Sequence, residues 1–167
     1  MSKLALIAVF LSVALGSGQN AQQSISSQAV HYPNVIHAEL PLYPPLASTL
    51  RISGTVKIEV TVEKGAVVEA QVKSAEIRFI DPQKDALYDS QAKKTMASRF
   101  LSDPSLANLK TWQFRPEDRA TFVVTYVYEI EGVETPLPEN PKVELDLPRL
   151  VKVTARPFKT TCSDCSS

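Results

Sequence analysis

The sequence predicts an α+β fold in the order β-β-α-(α)-β-(β), and three observations carry that prediction. Residues 55–63 alternate apolar and polar side chains without a fault and pass through a Lys-Gly turn into a second alternating run. Two Asp-Pro pairs, Asp81-Pro82 and Asp103-Pro104, open stretches with helical spacing. A further alternating run rich in aromatics, "TFVVTYVYEI", occupies 121–130.

In the first strand Val56, Ile58, Val60 and Val62 point one way, and Thr55, Lys57, Glu59, Thr61 and Glu63 the other. A period of two with one apolar side marks a half-buried antiparallel strand. Upstream, Tyr43 precedes a proline and is held extended. Pro45 then suits the first position of about two helical turns over "PLASTLRI", where its missing N–H is no loss. Gly54 is expected to free the backbone for the turn into the strand. After "EKGA", where Gly65 supplies a positive φ, Val68, Ala70 and Val72 are expected inward and Glu69, Gln71 and Lys73 outward. Two such runs joined by so short a loop form a β-hairpin.

Asp81 caps a helix with Pro82 at its first position, and Leu87, Ala92, Met96 and Phe100 fall roughly on one face. Asp103-Pro104 repeats the start signal, and Leu106, Leu109 and Trp112 then share a side. Trp112, the only tryptophan, is expected to plug this helix into the sheet. In 121–130, Phe122, Val124, Tyr126, Tyr128 and Ile130 form one face; Thr121, Val123, Thr125, Val127 and Glu129 form a second, less polar than in the earlier strands. Val143, Leu145 and Leu147 alternate before Pro148, and Val151 and Val153 after it. That pattern predicts two short strands or one kinked edge strand.

The N-terminus reads as a secretory signal over 1–21. Lys3 is followed by an apolar run from Leu4 to Leu15 and then small residues, with cleavage after Gly16 or Ala21. The run is shorter than the about 20 apolar residues of a membrane helix, so no membrane span is expected in the mature chain. About 146 to 151 residues would remain, enough for one domain with a real core. A polar, extended lead over 22–42 carries His31 and His37. The formal net charge is zero, and no basic stripe points to nucleic acid. Export to the periplasm or cell envelope follows as the expectation. In the tail, 159–167, Cys162 and Cys165 have CxxC spacing. This fits a local disulfide or an idle tail; a zinc site lacks further nearby ligands, and a redox pair lacks its βαβ context.

The stretch "YPPLASTLRISGTVKIEVTVEKGAVVEAQVKSA", followed by "LKTWQFRP" and "TFVVTYVYEI", resembles the C-terminal domain of the TonB energy-transducer family. Tyr43-Pro44, Gly54, the hairpin, Trp112 with Phe114 and Pro116, and the closing strand carry the likeness across 43–130. The resemblance implies a small antiparallel or mixed sheet with helix packed on one face. It also implies a last strand that accepts an extended peptide, the N-terminal segment of an outer-membrane transporter, by strand addition. An edge strand offers unpaired N–H and C=O groups to such a partner. The candidate edge is Thr121, Phe122, Val123, Val124, Thr125, Tyr126, Val127 and Tyr128. Family transducers carry an N-terminal membrane helix and a long proline-rich span, so the expectation here is an exported relative without that anchor. Residues 131–158 add a connector and strand material that stands to cover the same edge.

The expected function is therefore a non-catalytic protein-binding module of the cell envelope. The alternative is a structural or homodimerising protein with no transporter coupling. An enzyme is not expected: no HExxH, GxSxG or glycine-rich phosphate loop occurs, and no cofactor or metal is called for. His31 and His37 read as solvated rather than as a metal pair, and Glu59 and Glu69, candidates for a contact across the hairpin, as ordinary surface charges.

Overall fold

The computed structural model describes residues 32–158 apart from 89, 117 and 118. The expected signal segment over 1–21, His31, and Cys162 and Cys165, expected to form a local disulfide or an idle tail, lie outside the described residues. Ten elements follow in order: β1 (Val35–His37), α1 (Pro45–Thr49), β2 (Ile52–Glu63), β3 (Ala66–Phe79), α2 (Pro82–Leu87), α3 (Gln91–Leu109), β4 (Gln113–Phe114), β5 (Ala120–Ile130), β6 (Lys142–Asp146) and β7 (Leu150–Ala155). They build one sheet in the order β1-β4-β3-β2-β5-β7-β6. All its pairings are antiparallel except β5 with β7.

The hairpin forms as its sequence demands. Lys64 and Gly65 take φ of 53° and 81°, the two positive values that a type I′ turn requires. Val56, Ile58, Val60 and Val62 are completely buried. In β3 the expected phase holds for Ala70 and Val72, which sit opposite Val60 and Ile58, but fails at Val68. A register shift opposite Thr61 and Val62 makes Val68 an extra residue, and Val67 takes the inward place opposite Val62. Val68 is left 58% exposed. A second shift skips Lys73. Bulges of this kind bend an edge strand and discourage foreign pairing.

Gly54 lies inside β2, opposite Ile77 and Tyr128, and not ahead of the strand as expected. A Cβ there would stand 2.3 Å from the Glu76 carbonyl oxygen and 3.0 Å from Leu101 Cδ1, so the position serves close approach. The bend into β2 falls instead on Arg51, with φ of 54°. Helix α1 is correspondingly short, with Pro44 as its N-cap and Pro45 just inside. The Arg51 guanidinium pairs with Glu134 in the connector.

The helical block divides differently from the sequence reading. Asp81 Oδ1 accepts from Gln83 N at 3.0 Å at the start of α2, but the next start is Ser90, whose side chain accepts from Lys93 N. Asp103-Pro104 opens nothing, because α3 runs straight through Pro104. An interior proline loses one helical hydrogen bond and costs about 3 kcal/mol. The docking of residues on both sides of it offsets that loss. Ala97, Leu101, Ser105 and Leu109 form a buried stripe at four-residue spacing, and Ser105 Oγ bonds both Leu101 O (2.8 Å) and Tyr128 Oη (2.9 Å). The expected face is thus displaced: Leu87 and Met96 are each 64% exposed. The true stripe is small and partly polar, which hides it from a hydrophobicity pattern.

One face of the sheet carries the core. Phe122, Val124, Tyr126 and Tyr128 from β5 and Val151 and Val153 from β7 pack with the β2 valines beneath Leu101, Leu109, Trp112, Phe114 and Tyr43. The opposite face is polar. There Lys73 Nζ meets Glu59 Oε1 at 3.2 Å and Lys152 Nζ meets Glu129 Oε2 at 2.7 Å. Glu59 faces Gln71 and Glu69 faces Thr61, so the two carboxylates are not paired with each other.

Candidate functional site: the edge of strand β5

Strand β5 lies between β2 and β7, and the expected free edge is only half free. β2 pairs with it from Ala120 to Tyr128 with no register shift. β7 pairs with it from Thr125 to Ile130. Of the eight candidate residues, Thr125, Tyr126, Val127 and Tyr128 therefore have the chain's own strand beside them. Thr121, Phe122, Val123 and Val124, together with Ala120, have a strand on the β2 side alone among the described residues. The two short strands around Pro148 are resolved as a hairpin in which β7 is interior and β6 is the edge.

The direction of the open main chain follows from one bond. Thr125 N donates to Arg149 O at 2.8 Å, toward β7. Backbone groups alternate along a strand, so the N–H groups of Val123 and Thr121 point the same way, to the side where no strand lies among the described residues. This half-edge is regular, whereas the long outer edge of β3 is broken by two bulges and meets β4 only at Ala66–Gln113. The outer edge of β6 is five residues, "KVELD", carrying Lys142, Glu144 and Asp146. Short length and charge blunt such an edge.

Two residues outside the candidate set complete the surroundings. The Tyr32 ring meets Phe122 edge-on with centroids 6.1 Å apart. The Arg149 guanidinium lies over the Tyr32 ring, 5.7 Å from its centroid, within cation–π reach. Arg149 also pairs with Asp146 at 2.6 Å, both side chains more than half exposed. Sequence reasoning placed Tyr32 in an extended lead and Arg149 beside a strand break, and neither local pattern signals that the fold joins them. On the solvent face Thr121 Oγ1 and Thr61 Oγ1 are 3.1 Å apart, and Val123 is 41% exposed, an apolar side chain beside these hydroxyls.

Inward, the strand is held by hydroxyls. Tyr126 Oη donates to Asn108 Oδ1 at 2.8 Å, and Trp112 Nε1 donates to the same oxygen at 3.2 Å. Asn108 Nδ2 in turn donates to Glu39 O at 2.9 Å. Tyr43 Oη donates to Ile52 O at 2.6 Å. Burial raises all three core phenols well above the tyrosine norm, Tyr128 to about 12. Trp112, 2% exposed, is core, as its spacing predicted. On β5's far end, the hydrogen bond from Lys152 holds the Glu129 carboxyl below the usual carboxylate range.

Among the described residues no group of three or more His, Cys, Asp or Glu side chains is placed to hold a metal, and no helix is long and apolar enough to cross a membrane. His37 sits on β1 opposite Gln113. No protein-family model matches the chain, and no curated protein matches it.

Proposed function

We propose that this protein is a non-catalytic binding module of the cell envelope that takes up an extended segment of another protein by strand addition. In this reading it is related to the TonB C-terminal domain and serves transport through outer-membrane transporters. The observation that carries the reading is the regular run Ala120–Val124, paired on the β2 side alone among the described residues, whose Thr121 and Val123 amides point away from β2. Main-chain hydrogen bonds supply affinity in this mode, and alternate side chains supply selectivity. The binding register is shorter than the sequence suggested, about five residues, because β7 holds the remainder. The test is a titration of the isotopically labelled mature domain with N-terminal peptides of outer-membrane transporters. Saturable shifts of the Thr121 and Val123 amides are expected; no saturable shift anywhere along 120–124 removes the proposal.

A second reading, a structural protein without transporter coupling, is favoured by β7 itself, which fills the Thr125–Ile130 half of the edge from within the same chain. Deleting residues 136–167 distinguishes the two. If the edge exists to be self-covered, the truncated protein forms oligomers through β5 and gains no affinity for peptide.

A further inference from the structure

We infer that the half-edge of β5 selects extended segments that carry an acidic side chain where they abut Arg149. This inference rests on the strand-addition reading and names the chemistry of its ligand. A strand laid beside Ala120–Val124 lies in line with β7 and ends against the β6–β7 turn, because β7 begins opposite Thr125. Arg149 stands at that junction, its carbonyl already bonded to Thr125 N. Its guanidinium is held over Tyr32, and Tyr32 rests on Phe122, the inward residue at the middle of the open half. The last residue of an incoming strand therefore meets a cation fixed by an aromatic ring. The Arg–carboxylate fork is the pairing that such a planar donor favours.

Asp146 now occupies part of that guanidinium. The pair is solvent-exposed, and exposed pairs of this kind are weak enough to exchange partners. Asp146 thus acts as an internal competitor, and its removal should sharpen the preference. The flanking surface supports the same assignment. Along the rest of the half-edge Thr61 lies opposite Thr121, Glu59 lies opposite Val123 and is paired with Lys73 at 3.2 Å, and Arg119 precedes Ala120 at the opposite end, so Arg149 is the cation that an incoming strand meets at the β7 end.

The experiment uses end-capped hexapeptides of alternating valine and threonine, bearing one Glu, Gln or Lys at either end, titrated against the whole mature protein at low salt with the 120–124 amides as readout. The Glu peptide, in the orientation that places it at Arg149, should bind about two- to fivefold more tightly than Gln, with Lys weakest, the range for one exposed ion pair. Arg149→Glu should invert the order, Asp146→Asn should widen it, and about 0.5 M salt should erase it. Equal binding of the three peptides, or an order unchanged by Arg149→Glu, overturns the inference while leaving strand addition standing. Failure of every peptide to shift the 120–124 amides overturns both.

Discussion

Replacing Gly54 with alanine tests whether close approach, and not turning, explains that glycine. The added methyl would lie 2.3 Å from the Glu76 carbonyl oxygen, about 1 Å inside the shortest comfortable C–H···O contact. Ile77 Cα at 3.1 Å and Leu101 Cδ1 at 3.0 Å close two further directions. Leucine can rotate away, but Glu76 and Ile77 are backbone in the paired strand, so relief means parting β2 from β3 or lifting α3. Overpacking of this kind costs about 1–3 kcal/mol, and a backbone neighbour puts Gly54→Ala at the upper end, a fall in Tm of about 10 °C for a domain of this size. Chemical denaturation and thermal melts followed by circular dichroism measure it. Gly132→Ala is the contrast: its nearest atoms are 3.8 Å away, and only its φ of +89° opposes the change, so about 1 kcal/mol is expected. A Gly54→Ala loss below about 1 kcal/mol, or one smaller than that of Gly132→Ala, would refute the close-approach account.

Three other outcomes are expected. Lys64→Asn should stabilise the fold by roughly 0.5–1 kcal/mol, since Asn tolerates the positive φ of the type I′ turn; an unchanged urea midpoint counts against that turn geometry. Asn108→Ala removes the shared acceptor of Trp112 and Tyr126 and should cost about 2–3 kcal/mol. Tyr126→Phe in the same chain should add less than it does alone, and strict additivity would show that the two are uncoupled. The raised phenols of Tyr43, Tyr126 and Tyr128 make the fold alkali-sensitive. Their folded pKa values lie above the unfolded value of about 10, so the unfolded chain loses these protons first. Their stabilisation is whole below about pH 10 and falls as pH rises toward 12, by up to roughly 4 kcal/mol per pH unit for three groups. Tyrosinate absorbance should therefore rise for these rings together with unfolding, and their ionisation in a still-folded protein would contradict their burial.

The parts legible in the sequence are those where one local rule acts alone. The period of two in β2, the Lys64-Gly65 turn, the inward face of β5 and the burial of Trp112 each follow from neighbouring residues. The rest depended on partners distant in the chain. The α3 stripe is built on Ala97 and Ser105 as much as on leucines, because Ser105 answers Tyr128 across the core. Pro104 looked like a helix start because its tertiary compensation was invisible. The bulge that turns Val68 outward is a property of the β2–β3 pairing. At the candidate site the alternation of 121–130 identified the strand, but its coverage by β7 is a question of topology. The hub role of Asn108 left only a faint trace, a polar residue four positions before the tryptophan.

The parallel register of β5 and β7 also sets a mechanical direction. Because β7 runs from Leu150 to Ala155 alongside Thr125 to Ile130, a pull on the chain beyond Phe158, directed along the strand, loads all the cross-strand bonds together in shear. A ladder loaded in this way yields at once and at high force, where one peeled from its end opens bond by bond. The molecule is thus stiff to traction at that end and more compliant at the Ala120 end, where among the described residues β2 alone holds the strand.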